Sequence, residues 1–121
     1  MSQDPALSFQ LQHADGLFAV AAVTGDLDFF TSPGLHSPAT ALIAAGHPHL
    51  ILDLSGVAFC DSAGLSALIR LWKATDAAGG SLTLAAVTAP VLRAITVTGL
   101  DSLLTITPTT SQALEQHSAR T

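Results

Sequence analysis

Polar and apolar positions alternate at the start of the chain. Leu7, Phe9 and Leu11 interleave with Ser8, Gln10 and Gln12, a period of two that predicts a strand with one wet face. Asp15-Gly16 is a turn signal, and Leu17–Thr24 then runs apolar and β-rich to Gly25, so the two segments predict a hairpin. His49–Leu54 is a short, mostly apolar run, the pattern of a parallel strand buried on both faces. Ser55-Gly56 breaks it, and Val57–Cys60 forms a short extended link. Leu82–Val87 and Leu103–Ile106 predict two more strands, with Pro108 stopping the second.

Between these strands the period changes to that of a helix. Leu35, Ala39, Leu42 and Ile43 share one helical face, and Gly46 closes it. Pro33 and Pro38 fall near its start. Because proline disrupts a helix already running, Ser37 is expected as N-cap with Pro38 at the first helical position. The clearest helix carries Leu65, Leu68, Ile69 and Trp72 at i, i+3, i+4, i+7 and ends at Gly79-Gly80. Thr88 is expected to cap a shorter helix, with Pro90 in its first turn, Leu92 and Ile95 inward and Gly99 at its end. Ser111–Ser118 is a closing helix. The order β-β-α-β-α-β-α-β-α predicts one α/β domain: a mainly parallel, mixed sheet of about five strands opening with a hairpin, with about four helices. The single domain is expected over residues 1–121, with an ordered core at roughly 7–117.

Composition narrows the function. The 121 residues are 49% hydrophobic and 11% charged, enough apolar material for one core and too much for a disordered tail. Four Lys and Arg against nine Asp and Glu leave a net charge of −5. Without a basic run, the chain is a poor candidate for nucleic acid or an anionic membrane surface. One cysteine, Cys60, excludes an internal disulfide and a multi-Cys zinc site. Met1–Pro5 shows no secretory pattern, and the longest near-apolar run, Ala39–Ala45, is too short to span a bilayer. A cytoplasmic protein is expected.

The sharpest local feature is Cys60-Asp61-Ser62-Ala63-Gly64-Leu65, where an extended segment meets the clearest helix. Asp61 or Ser62 must serve as N-cap, because the first N–H groups of a helix have no internal partner. The same physics lets this helix start hold an anion. A phosphoryl group on Ser62 would carry about −1.5 to −2 charges beside those N–H groups, changing a surface more than a fold. A second feature, Asp26-Leu27-Asp28, pairs carboxylates two apart, as a Mg²⁺ site or a phosphoryl-transfer enzyme would. Phe30 stands where the aspartyl-nucleophile phosphatases have Thr, so a solvated turn is the simpler reading. A serine hydrolase would need a Gly-x-Ser-x-Gly elbow, and position 60 is Cys. His47-Pro48-His49 lacks a third metal ligand, and His13, His36 and His117 are scattered and expected at the surface. Cys60 is expected to be a small buried hydrophobe and Trp72 to be core.

Taken together, Gly25–Asp28, the strand Leu50–Leu54, the motif Phe59-Cys60-Asp61-Ser62-Ala63-Gly64-Leu65 and the segment Ala86–Gly99 resemble the STAS domain, the fold of bacterial anti-sigma factor antagonists. The resemblance runs from about Leu7 to Glu115, and its element order agrees with the hydropathy reading. It implies a phosphorylation-controlled binding module, not an enzyme, with no cofactor. Ser62 would be phosphorylated by an anti-sigma factor with an ATP-dependent serine kinase fold. The unphosphorylated domain would bind that kinase and release a sigma factor, and a metal-dependent serine phosphatase would reset it. Asp26, Asp28, Asp61, Ser62, Ala63, Gly64 and Leu65 would form the partner-binding site. Ala63 departs from the pattern, standing where many antagonists have a second serine or threonine. Leu71, off the core-facing stripe, is either an exposed partner contact or part of a second buried face. The alternative within the family is a STAS subunit of a transport or stress-sensing assembly that never cycles phosphate.

Overall fold

The structure, a computed structural model, describes residues 7–120, with side chains described as far as Glu115. Expectations for Met1–Pro5 and for the side chain of His117 lie outside the described residues. Strands β1 (Leu7–Asp15) and β2 (Phe18–Leu27) form the hairpin and pair antiparallel. Strands β3 (His49–Cys60), β4 (Ser81–Ala85) and β5 (Thr105–Thr107) follow in parallel, so the sheet order is β1-β2-β3-β4-β5. Helices α1 (Ser32–Ala44), α2 (Ser62–Ala77), α3 (Ala89–Val97) and α4 (Thr110–Arg120) alternate with them.

The sheet's two faces are unequal. Ala21 and Val23 of β2, Leu50, Leu52 and Leu54 of β3, and Leu82 and Leu84 of β4 share one core with Leu35 of α1, Leu68 and Leu71 of α2, and Val91 and Ile95 of α3. On the other face, among the described residues, Val20, Ile51 and Ala85 pack with Ala113 and Leu114 of α4. The continuous apolar runs of β3 and β4 follow from burial on both sides.

Several boundaries differ from expectation. Strand β3 does not break at Ser55-Gly56 but continues to Cys60. Gly56 lies opposite Thr24, and a Cβ there would stand 2.8 Å from Thr24 Oγ1, so this glycine permits close strand approach. Helix α1 starts at Ser32, not at Pro38, which lies inside it. A turn centred on Asp28 starts the helix early, and burial of Leu35 and Ala39 offsets the donor lost at Pro38. Strand β4 stops at Ala85 because Ala86 takes a left-handed backbone (φ 55°). A 3-10 turn at Leu100–Ser102 precedes β5, which begins only at Thr105. Leu71 is fully buried, so it cannot touch a partner. The innermost stripe of α2 is Gly64, Leu68, Leu71 and Thr75, with Ile69 and Trp72 half-buried on its flank. On α3 the inward residues are Val91 and Ile95, while Leu92 is exposed.

Candidate functional site

The carboxyl ends of β2 and β3 meet the start of α2. Leu27 pairs with Cys60 in the ladder, and the Asp61 N–H donates to the Leu27 carbonyl at 3.2 Å. Asp61 is the N-cap: its extended backbone turns the chain, and its Oδ1 accepts from the Gly64 N–H at 2.9 Å. Of the two cap candidates, the carboxylate therefore takes the role, and Ser62 becomes the first helical residue. Ser62 is exposed, and its hydroxyl makes no hydrogen bond among the described residues.

Gly64 fixes how closely this start can approach the sheet. A Cβ there would overlap the Leu27 carbonyl oxygen and stand 2.9 Å from both Leu27 C and Cys60 Sγ. Any larger residue would push α2 off the end of β2. Gly64 and Leu65 are buried beneath the surface and hold the helix in place; Ala63 is half-buried.

The Asp26–Asp28 segment is a braced turn. Asp28 Oδ1 accepts from the N–H groups of Phe30 (2.9 Å) and Thr31 (3.0 Å), which makes Asp28 the turn's pivot. Thr31, buried, donates its hydroxyl to the Asp26 carbonyl at 2.8 Å and accepts from the Asp28 N–H at 2.9 Å. The Ser32 N–H then donates to the Asp28 carbonyl at 2.9 Å and starts α1. The Asp26 carboxylate is exposed and has no partner among the described residues. The ladder sets Asp26 beside Phe59, so Asp26, Asp28, Asp61 and Ser62 gather at one end of the sheet. Among the described residues no group of three or more His, Cys, Asp or Glu comes together as a metal site.

Cys60 is half-buried against the core, and its thiol lies 3.7 Å from the Asp61 carbonyl. Burial, and then the Asp61 charge, push its pKa up to about 11, so the thiol is neutral near pH 7. His47 and His49 sit at the opposite edge, where His47 Nδ1 meets the Gly16 carbonyl at 2.6 Å and His49 Nδ1 meets Ser81 Oγ at 2.9 Å. Thr88 stands at the N-cap of α3 but does not cap it; its hydroxyl donates to the Val57 carbonyl at 2.6 Å. An apolar hollow of about 350 Å³ lies beyond it, lined by Val87, Leu92, Ile106 and Pro108.

Two groups escaped the sequence reading. Thr31, which braces the turn, carries no local signal. Phe29 and Phe30 are exposed beside the site, and their only signal is that an aromatic pair at this point fits neither a strand nor a helix period.

Residues 8–113 match the family model described as the STAS domain. The chain is 28% identical over 101 residues to the anti-sigma F factor antagonist of Paenibacillus polymyxa, covering 83% of this chain and 86% of that one. A crystal structure of an anti-sigma factor antagonist from Mycobacterium paratuberculosis superposes with a TM-score of 0.77 at 29% identity, covering 96% of this chain and 97% of that one. The antagonist SpoIIAA in its unphosphorylated form matches at a TM-score of 0.78 and 18% identity over 93% of this chain and 97% of that one. Its phosphorylated form, from Bacillus, matches at 0.69 and 18% over 90% of this chain and 98% of that one. Among the described residues no helix is long and apolar enough to cross a membrane. With the family model spanning residues 8–113, nearly its full length, the chain belongs to the STAS domain family.

Proposed function

We propose that this domain is an anti-sigma factor antagonist that works by partner switching in the cytoplasm, with Ser62 as phosphoacceptor. The observation that carries the reading is the division of labour at the start of α2: Asp61 takes the cap, and the Ser62 hydroxyl is left exposed and uncommitted. The domain is a substrate and not a catalyst. An anti-sigma factor with serine kinase activity binds this end and transfers the γ-phosphoryl of ATP to Ser62 Oγ. The new P–O ester forms as the bond to the β-phosphate oxygen breaks, ADP leaves, and the hydroxyl proton passes to the kinase. A metal-dependent serine phosphatase hydrolyses the ester and restores the binding form.

The electrostatics support a surface switch. A phosphoryl group adds about −1.5 to −2 charges to an end already carrying Asp26, Asp28 and Asp61, and a partner selected for the unmodified end loses its complementarity. The helix start tolerates the new charge, because the positive end of the helix dipole favours an anion there. The solution of a SpoIIAA relative in both unphosphorylated and phosphorylated forms fits such a cycle.

The test is a pull-down from the native cell with Ser62→Ala and Ser62→Asp as baits. Recovery of an ATP-binding serine kinase by the alanine form and not by the aspartate form is the expected result. Equal recovery of the same partners by both forms would make Ser62 an ordinary surface residue of a non-cycling interaction module.

A further inference from the structure

The turn that presents Asp28 also presents two aromatic rings. Phe29 is 69% exposed and Phe30 86% exposed, and the rings touch only edge to face, with centroids 5.4 Å apart and planes at 82°. Phe59, 50% exposed, stands on β3 opposite Asp26. Three of the chain's five phenylalanines thus lie at the Ser62 end. Single exposed apolar residues are ordinary, but a cluster of aromatics is characteristic of binding surfaces.

These rings are not on a loose tip. The Phe30 and Thr31 N–H groups are held by the Asp28 carboxylate, and Thr31 is tied to the Asp26 carbonyl. The backbone that carries the pair is braced, so little backbone ordering is lost when the rings are covered. Phe30 lies three residues beyond Leu27, whose carbonyl accepts from Asp61, so the turn that carries the rings leaves the sheet at the same end as the helix start with Ser62. Helix α1, which follows, contains no Asp, Glu, Lys or Arg from Ser32 to Ala44. One side of the patch is therefore neutral, and the other carries the carboxylates of Asp26, Asp28 and Asp61, none ion-paired among the described residues.

We propose that Phe29 and Phe30 are the apolar anchor that selects the partner: an anti-sigma kinase whose docking surface has an apolar hollow for the rings and Lys or Arg along the rim that meets the carboxylates. This rests on the function proposed above. Charge decides against a second copy of the chain. Two copies joined here would bring their uncompensated carboxylates together at a net charge of −5 each. Phe59 extends the anchor on the β3 side.

The test places the photo-crosslinker p-benzoylphenylalanine in the full-length Ser62→Ala chain, in native cells, at one position at a time. Position 30 reports the anchor, exposed position 66 on α2 reports the Ser62 end, and exposed position 17 at the opposite edge is the control. Adducts are identified by mass spectrometry. The expected result is an adduct to an ATP-binding serine kinase from positions 30 and 66 and not from 17. Adding Phe29→Ser and Phe30→Ser to the chain with the probe at 66 should cut that adduct at least about tenfold, as for a binding hot spot. The unfolding temperature should not fall, because neither ring is buried. An adduct from 66 with none from 30, or one unchanged by the double substitution, overturns the anchor and leaves the phosphorylation reading standing. A kinase adduct from 30 with none from 66 keeps the anchor and overturns the docking at Ser62. No kinase adduct from either position overturns both, and an adduct from 30 to a second copy of the chain overturns the basic-rimmed partner.

Discussion

Helices α2 and α3 both begin where a parallel strand ends, at the same edge of the sheet, yet their starts are built oppositely. At α2 the cap is a carboxylate, Asp61, and the hydroxyl next to it is left over. At α3 the residue at the cap position, Thr88, gives its hydroxyl to the Val57 carbonyl and leaves the helix without a side-chain cap. The first arrangement anchors the helix and frees a serine. The second braces β3 against α3 and frees nothing. What makes Ser62 available is its neighbour, more than the serine itself.

That contrast can be broken in graded ways. The largest effect is expected from Leu71→Ala, which removes a fully buried side chain holding α2 against the sheet. Chemical denaturation should show a loss of about 2–5 kcal/mol. A change near 0.5 kcal/mol would mean that α2 is not a fixed platform for Ser62. Gly64→Ala comes next, at about 1–3 kcal/mol, because the added methyl overlaps the Leu27 carbonyl and the helix start must shift. Unchanged stability there would show that the seam between β2 and α2 is looser than it looks.

Asp61→Ala should cost about 0.5–2 kcal/mol through the lost cap, and Thr88→Val about 1 kcal/mol through the lost bond to β3. The two sharpen the contrast, since only Asp61→Ala should also alter phosphorylation of Ser62, followed with ³²P-labelled ATP and the recovered kinase. Equal effects of both on labelling would erase the distinction. The smallest effect is expected at Cys60. Its raised pKa keeps the thiol protonated, so iodoacetamide labelling should be slow near pH 8 and accelerate only towards pH 11. The unfolded thiol ionises first, so its contribution to stability holds below about pH 9 and is lost as pH rises to 11.

The element order was legible because each strand and helix carries its own period. The carboxyl-end motif was legible because cap chemistry is local to four residues. What was hidden depends on contacts across the sheet. Gly56 reads locally as a break, but its place opposite Thr24 makes it a point of close approach inside one long strand. Pro38 reads as a helix start, yet the Asp28–Thr31 hydrogen bonds launch α1 six residues earlier. Leu71 lay off the predicted stripe because α2 rotates its small residue, Gly64, towards β2 and carries Leu71 inward with it. Phe29 and Phe30 were illegible for the converse reason. Hydropathy patterns report what a fold buries, and these rings are left for something outside it.

The Asp61–Gly64 hydrogen bond also gives the domain a built-in spectroscopic reporter. The Gly64 N–H points at a carboxylate three residues back and belongs to the same turn as Ser62. Phosphate on Ser62 would compete for the donors of this turn, so the Gly64 amide should shift in a ¹H–¹⁵N spectrum while the methyls of buried Leu68 and Leu71 stay in place in a ¹H–¹³C spectrum. A docked partner, by contrast, would broaden the amides of Phe29 and Phe30 as well. One backbone signal and its neighbours could therefore tell modification from binding in a single sample, with no label added to the chain's surface.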